Sequence, residues 1–140
     1  MRWAVHEAHV RGGTVQAVTA WQWDGIEMPP VAADPESERQ RATGMLDREI
    51  QAVPAYERSG VPIAAEAVQG RPADVLTAVA RDADLLVLGS HGHSRVWHTV
   101  LGSVSEECIR MAACPVLVIP QPHTDTTAAV APAKRQESSN

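Results

Sequence analysis

Three glycines and two serines stand where an anion-binding backbone would need them. Gly89 and Gly92 are separated by two residues, and nine residues later comes Gly102-Ser103, followed by Val104 and Ser105. The apolar run Leu85-Leu86-Val87-Leu88 leads into Gly89, so the layout is strand, small loop, helix start. Such a layout aims backbone N–H groups at an anion, because a helix's first turn leaves its N–H groups unpaired at the positive end of the macrodipole. Gly89 is expected to end the strand, Gly92 to turn the loop, and Gly102 to let the loop fold over the ligand, since a residue without Cβ tolerates positive φ and close approach. The hydroxyls of Ser103 and Ser105 would add donors. The chemistry is phosphate binding; the structural alternative is an ordinary strand-to-helix connection with capping serines.

Other chemistries fit the residues less well. No Gly-Lys-Ser/Thr step of a Walker loop occurs, so the phosphate-gripping lysine and its magnesium-binding hydroxyl are both missing from a kinase or motor reading. Ser90, Ser103 or Ser105 could serve as nucleophile with His91 or His93 as base, but there is no Gly-x-Ser-x-Gly elbow and no third triad member, so no catalytic residue is assigned. His91, His93 and His98 lack a further ligand at a supportive spacing, and no metal site is assigned. Loop histidines beside a phosphate would instead donate hydrogen bonds, and Arg95 could reach one too. His6 and His9 read as surface positions. Trp3, Trp21, Trp23 and Trp97 are not spaced as a base-stacking platform and read as packing or partner contacts.

The elements that must position this loop follow from periodicity and punctuation. Ala4, Val5 and Ala8 have helical spacing and Gly12-Gly13 supplies a stop, so the chain begins inside a helix. Thr14 to Ala20 has strand character. Asp34-Pro35-Glu36 starts a second helix with Asp34 as cap and Pro35 at the first helical position. Its apolar stripe is Ala42, Met45, Leu46, Ile50 and Val53, and Pro54 should weaken or kink it before Ser59-Gly60 ends it. A strand follows at about Pro62 to Val68, and Gly70-Arg71-Pro72 opens a helix with Val75, Leu76, Val79 and Ala80 facing the core. Leu85 to Leu88 is the next strand. Beyond the glycine loop, Val104, Cys108, Met111 and Ala112 mark a helix's inner side, and Val116 to Ile119 forms the last strand. Helices alternating with short, continuously apolar strands predict an α/β domain with a doubly wound parallel sheet, whose ligands bind beyond the carboxyl ends of the strands.

Composition narrows the function. The chain has 140 residues, 44% of them hydrophobic, which suits one domain. A net charge of −5 with only 12 Lys and Arg argues against gripping a nucleic-acid backbone. No apolar stretch approaches bilayer-spanning length and no secretory segment opens the chain, so the expected location is the cytoplasm, without membrane attachment. Cys108 and Cys114 read as buried free thiols. The expected organisation is a domain over residues 1–120 and a polar, disordered tail over 121–140.

On Gly89, Gly92, Gly102 and Ser103, the chain resembles the universal stress protein family, whose signature is Gly-x2-Gly-x9-Gly-Ser/Thr. Asp82 to His91 is similar to that family's penultimate strand and exit, and Cys114-Pro115-Val116-Leu117-Val118-Ile119 to its last strand. The resemblance implies a fold of the universal stress protein/adenine nucleotide alpha hydrolase-like type and a stress-response regulator, not an enzyme, that binds ATP, with Mg2+ as a potential companion, or another adenine nucleotide. It implies nucleotide-binding residues Ala20, Gly89, Ser90, Gly92, His93, Gly102, Ser103, Val104 and Ser105, Ala20 acting through its backbone at the adenine. It also implies a homodimer paired through Val116 to Ile119. A nucleotide-independent interaction module of the same family and a slow ATPase are the alternatives.

The chain departs from the family at its start. The family opens with a central strand ending in an Asp at the adenine and ribose side, whereas Met1-Arg2-Trp3-Ala4-Val5 matches the middle of the helix that follows. The expectation is a truncated or degenerate copy, with the strands Thr14 to Ala20 and Leu85 to Leu88 left facing each other across an empty place. They would slide together, take a strand from another chain, or accept water. Nucleotide binding would be weakened accordingly.

Overall fold

A computed structural model describes residues 1–23, 34–90 and 101–120. The first helix, α1 (Arg2–Arg11), stops at Gly12, whose φ of 66° is left-handed. The N–H of Gly13 closes the end by donating to Ala8 O at 2.8 Å. Strand β1 (Val15–Trp21) follows and takes Trp21 into the strand, one residue past the expected end. Helix α2 (Pro35–Gln51) starts as its sequence dictates: the Asp34 carboxylate accepts the Ser37 N–H at 2.8 Å, and Pro35 costs nothing where no intrahelical bond is due. Pro54, which lacks an N–H and crowds the preceding turn, separates α2 from a four-residue helix α3 (Ala55–Arg58). Of the stripe read from the sequence, Ala42, Leu46 and Val53 are buried and Met45 and Ile50 half-buried.

Strand β2 (Ile63–Gln69) runs parallel to β1, in register from Val15 opposite Ile63 to Trp21 opposite Gln69. Gly70 then turns the chain at φ 148°, and a Cβ there would sit 2.8 Å from Val75 Cγ2, so both backbone and space require glycine. Helix α4 (Pro72–Val79) buries Ala73, Val75 and Thr77, and a 3-10 turn over Ala80–Asp82 follows. Strand β3 (Leu86–Gly89), helix α5 (Ser103–Met111) and strand β4 (Val116–Ile119) complete the order, with β3 and β4 parallel from Leu86 opposite Val116 to Gly89 opposite Ile119. On α5, Ser105 and Cys108 are buried, whereas Met111, expected on the inner face, closes the helix and is 48% exposed. Burial, and secondarily Glu107, pushes the Cys108 thiol above its ordinary range, as befits a packing residue. Cys114 is also free.

The architecture is α/β with parallel strands, but the sheet is divided. β1 pairs with β2, β3 pairs with β4, and no ladder joins the two pairs among the described residues. Pairing of β1 directly with β3, one of the expected outcomes, is therefore not seen among the described residues. The halves are connected by helices: α4 packs against both β1 and α5, and Arg71, just before α4, donates to Glu107 Oε1 on α5 at 2.7 Å. The main core cluster belongs to the first half, where Val5, Val15, Val53 and Val61 are buried with Met1, Ala4, Ala8 and Ile63 packed around them. No described helix is long and apolar enough to cross a membrane.

Candidate functional site

The carboxyl end of β3 and the amino end of α5 are drawn together by two hydrogen bonds, and a third ties the strand end to β4. The Ser90 N–H donates to Ile119 O at 2.9 Å, extending the β3–β4 ladder by one step, and the Gly102 N–H donates to Ser90 O at 2.7 Å. The Ser105 hydroxyl donates to Gly89 O at 2.9 Å. Ser90 and Ser105 are both buried. Strand end and helix start are thus clamped side by side, whatever path the chain takes between them.

This clamp redistributes the roles read from the sequence. Ser105 spends its single proton inward on Gly89, so in this arrangement its hydroxyl fixes the loop ends and offers an anion no donor. Neither serine caps α5: the N-cap is Gly102, at an extended φ of −76° and ψ of 155°, and no side chain accepts from the first turn. The N–H groups of Ser103, Val104 and Ser105, which an α-helix leaves without intrahelical acceptors, therefore meet no capping side chain. Ser103 is exposed beside them. The positive-φ freedom expected of the site glycines is not used at Gly89 or Gly102, since the described glycines with positive φ are Gly12, Gly60 and Gly70. What glycine contributes at Gly89 and Gly102 is the absence of a side chain beside the α5 terminus.

Ala20 lies half-buried at the carboxyl end of β1, opposite Val68 in the ladder. Its neighbour Trp21 carries a buried Nε1–H with no acceptor among the described residues. Ending the strand at Ala20 left this donor outside it, although tryptophan's β propensity extends the strand signal by one residue. Gly92 and His93, with His91, Arg95 and His98, lie outside the described residues, as does the tail 121–140. Among the described residues no cluster of three His, Cys, Asp or Glu could hold a metal ion.

A cavity of about 680 Å³ adjoins Gly89. Val87, Leu88 and Ile119 give it an apolar wall, and Trp3 with the Arg2–Glu57 pair faces them from α1 and α3. Arg2 Nε donates to Glu57 Oε2 at 2.6 Å, and its terminal nitrogen pairs with Oε1. The hydrogen bonds from Arg2 hold the Glu57 carboxyl below its ordinary range; desolvation opposes this, and a hydrogen bond with Tyr56 and the charges of Arg2 and His6 add to the lowering. Composition and spacing gave no sign of this cavity, because its walls come from elements far apart in the chain.

These features define a class: an α/β domain of parallel strands with a hydrogen-bonded polar cluster where β3 ends and α5 begins. The family follows from comparison, since the model of the universal stress protein family matches residues 1–120, and the chain belongs to that family. A universal stress protein of Thermus aquaticus is 31% identical over 116 residues, covering 81% of this chain and 82% of that protein. One from Methanocaldococcus jannaschii is 41% identical over 68 residues. The match spans 40% of that relative's length, and the corresponding match to a Synechocystis relative spans 22% of its length. Among solved structures, the universal stress protein UspA from Lactobacillus plantarum superposes with a TM-score of 0.66 at 24% identity, covering 84% of each chain. A universal stress protein from Archaeoglobus fulgidus in complex with dAMP gives 0.55 at 22% identity, covering 84% of this chain and 82% of that one. An Arabidopsis thaliana family protein with AMP bound gives 0.52 at 19%, covering 90% and 81%. At these identities the likeness carries the fold.

Proposed function

We propose that this chain is a regulatory domain that binds an adenine nucleotide, ATP being the form its sequence motif favours, and that it acts through the bound state without turning the nucleotide over. The observation that carries the reading is the clamp at Gly89, Ser90, Gly102 and Ser105, which fixes an uncapped helix terminus at a strand end. The Ser103, Val104 and Ser105 N–H groups and the Ser103 hydroxyl would hold the phosphates, with Ser105 serving from behind as the tie to Gly89. Ala20 and Trp21 at the end of β1 are the groups on the other half to which a base would turn. Relatives of the fold carrying dAMP, cAMP and AMP support an adenine ligand.

Titration calorimetry of the folded 140-residue chain with ATP tests this, with chromatography of the nucleotide afterwards. Saturable heat and intact ATP are the expected results. A protein with a native circular dichroism spectrum and no heat of binding would leave the interaction-module reading, and accumulating ADP would make the chain an ATPase. The regulator is further expected to pair through β4, which uses only one edge among the described residues, as sedimentation of a Val118→Lys variant would reveal by loss of the dimer.

A further inference from the structure

We propose that Arg71 is a phosphate-binding residue of the nucleotide site, its guanidinium exchanging Glu107 for the phosphates held at the start of α5. This inference rests on the nucleotide reading above and adds a residue that neither the glycine motif nor the clamp contains. Phosphates at that helix start meet an unfavourable local charge. The chain carries a net charge of −5, Glu106 lies in the first turn of α5, and Glu107 follows it. Backbone N–H groups and the helix dipole supply only partial positive charge, so two carboxylates beside them oppose a polyanion unless a full cation stands close by.

Among the described residues, Arg71 brings a cation to this end of α5. Its Nη2 donates to Glu107 Oε1 at 2.7 Å, and its Nη1 lies 3.5 Å from Asp74 Oδ2. Arg2, Arg11, Arg39 and Arg41 are paired elsewhere, with Glu57, Glu7, Glu36 and Glu38, and Arg110 sits in the last turn of α5. Glu107 comes four residues after Ser103, so the two share a helix face about 6 Å apart along the axis. Helical side chains lean toward the N-terminus, which carries the Glu107 carboxylate, and Arg71 with it, toward the turn that opens at Ser103. The backbone on either side of Arg71 is fixed. Gly70 donates its N–H to Trp21 O at 2.9 Å and turns at φ 148°, and Pro72 opens α4.

Arg71 changes partner at small cost. Its side chain is 59% exposed and that of Glu107 31%, and an ion pair so open to water contributes little. A phosphate chain offers the planar guanidinium paired oxygens and more charge than one carboxylate. Glu107 therefore competes with the nucleotide for the same guanidinium and holds the affinity down.

Titration calorimetry of the full chain with ATP, at low and high salt, tests this on the unaltered protein and on Arg71→Gln, Arg71→Lys and Glu107→Gln. Arg71→Gln should weaken ATP about tenfold, the effect of losing a hydrogen bond between charged groups, and flatten the salt dependence. Arg71→Lys keeps the charge and should retain that salt dependence while binding more weakly than the unaltered chain, because it loses the fork. Glu107→Gln frees Arg71 and removes a repelling charge, so it should tighten ATP at least about twofold at low salt. A mere tie between α4 and α5 predicts otherwise, since both Gln variants break the same pair and would shift affinity in the same direction. Unchanged affinity in Arg71→Gln overturns the proposal, as does unchanged or weaker binding by Glu107→Gln. Should Arg71→Gln lose its native circular dichroism, the sign of the Glu107→Gln effect decides. ATP bound equally by the unaltered chain and by Arg71→Gln removes Arg71 alone and leaves the nucleotide reading standing, whereas no heat with the unaltered chain removes both.

Discussion

The two half-sheets divide the labour of the domain. The β1–β2 half has seven-residue strands and the buried cluster Val5, Val15, Val53 and Val61, held under α1 and against the α2–α3 region. The β3–β4 half has four-residue strands, all of them short of full burial, yet it carries a hydrogen-bonded cluster with buried side chains at Ser90 and Ser105 beside Gly102. Packing stabilises in proportion to apolar area removed from water, so the first half holds most of that stabilisation and the second holds the candidate site. A site at the open end of a thinly packed ladder keeps its backbone groups available, and the hydrogen bonds of the clamp supply locally the rigidity that the core does not.

The largest break in this contrast comes from the core. Leu46→Ala, at a buried position of α2 on the first half, is expected to destabilise by about 2–5 kcal/mol in urea unfolding, whereas Leu88→Ala at half-buried β3 should cost clearly less. Equal costs would erase the distinction between halves. Gly70→Ala should cost about 1–3 kcal/mol, because it combines positive φ with a 2.8 Å approach to Val75. Its effect tests whether the junction between β2 and α4 is as tight as it looks. On the site half, Ser103→Ala should leave the unfolding midpoint unchanged while weakening ATP about tenfold in calorimetry, the effect of one hydrogen bond to a charged group. Ser105→Ala should instead lower both stability and affinity, since Gly89 O loses its donor.

The smallest effect is acid sensitivity at the rim. Glu57 has a lowered carboxyl pKa in the folded chain, so its pairing with Arg2 contributes stability above the unfolded carboxylate value of about 4.3 and loses it as pH falls through the lowered folded value. Glu57→Gln should flatten that part of the acid limb in a pH series of thermal melts. Glu36, held down to about 2 by Arg39 and then Gln40, titrates lower still, and its fully exposed pair should contribute little.

Much of the fold was legible because local chemistry fixed it. Asp34-Pro35 can hardly do other than start a helix, Gly12 and Gly70 sit where φ is positive, and the apolar runs at Leu86 and Val116 are strands where they were expected. The first strand was ended at Ala20, one residue short of Trp21, whose own β preference carries the ladder on. Met111 was misread as inward because spacing alone does not tell how far along a helix its neighbours reach.

The sequence by itself determined the order of helices and parallel strands and the family through Gly89, Gly92, Gly102 and Ser103. These are properties of neighbours along the chain, set by dihedral preferences, capping and periodicity. Only the tertiary structure decided that those strands stay apart as two ladders and that a cavity lies beside Gly89. It alone turned the Ser105 hydroxyl inward to the Gly89 carbonyl. Each of these depends on which distant groups meet in space, and hydrogen bonds and packing across such distances are settled only when the whole chain has folded.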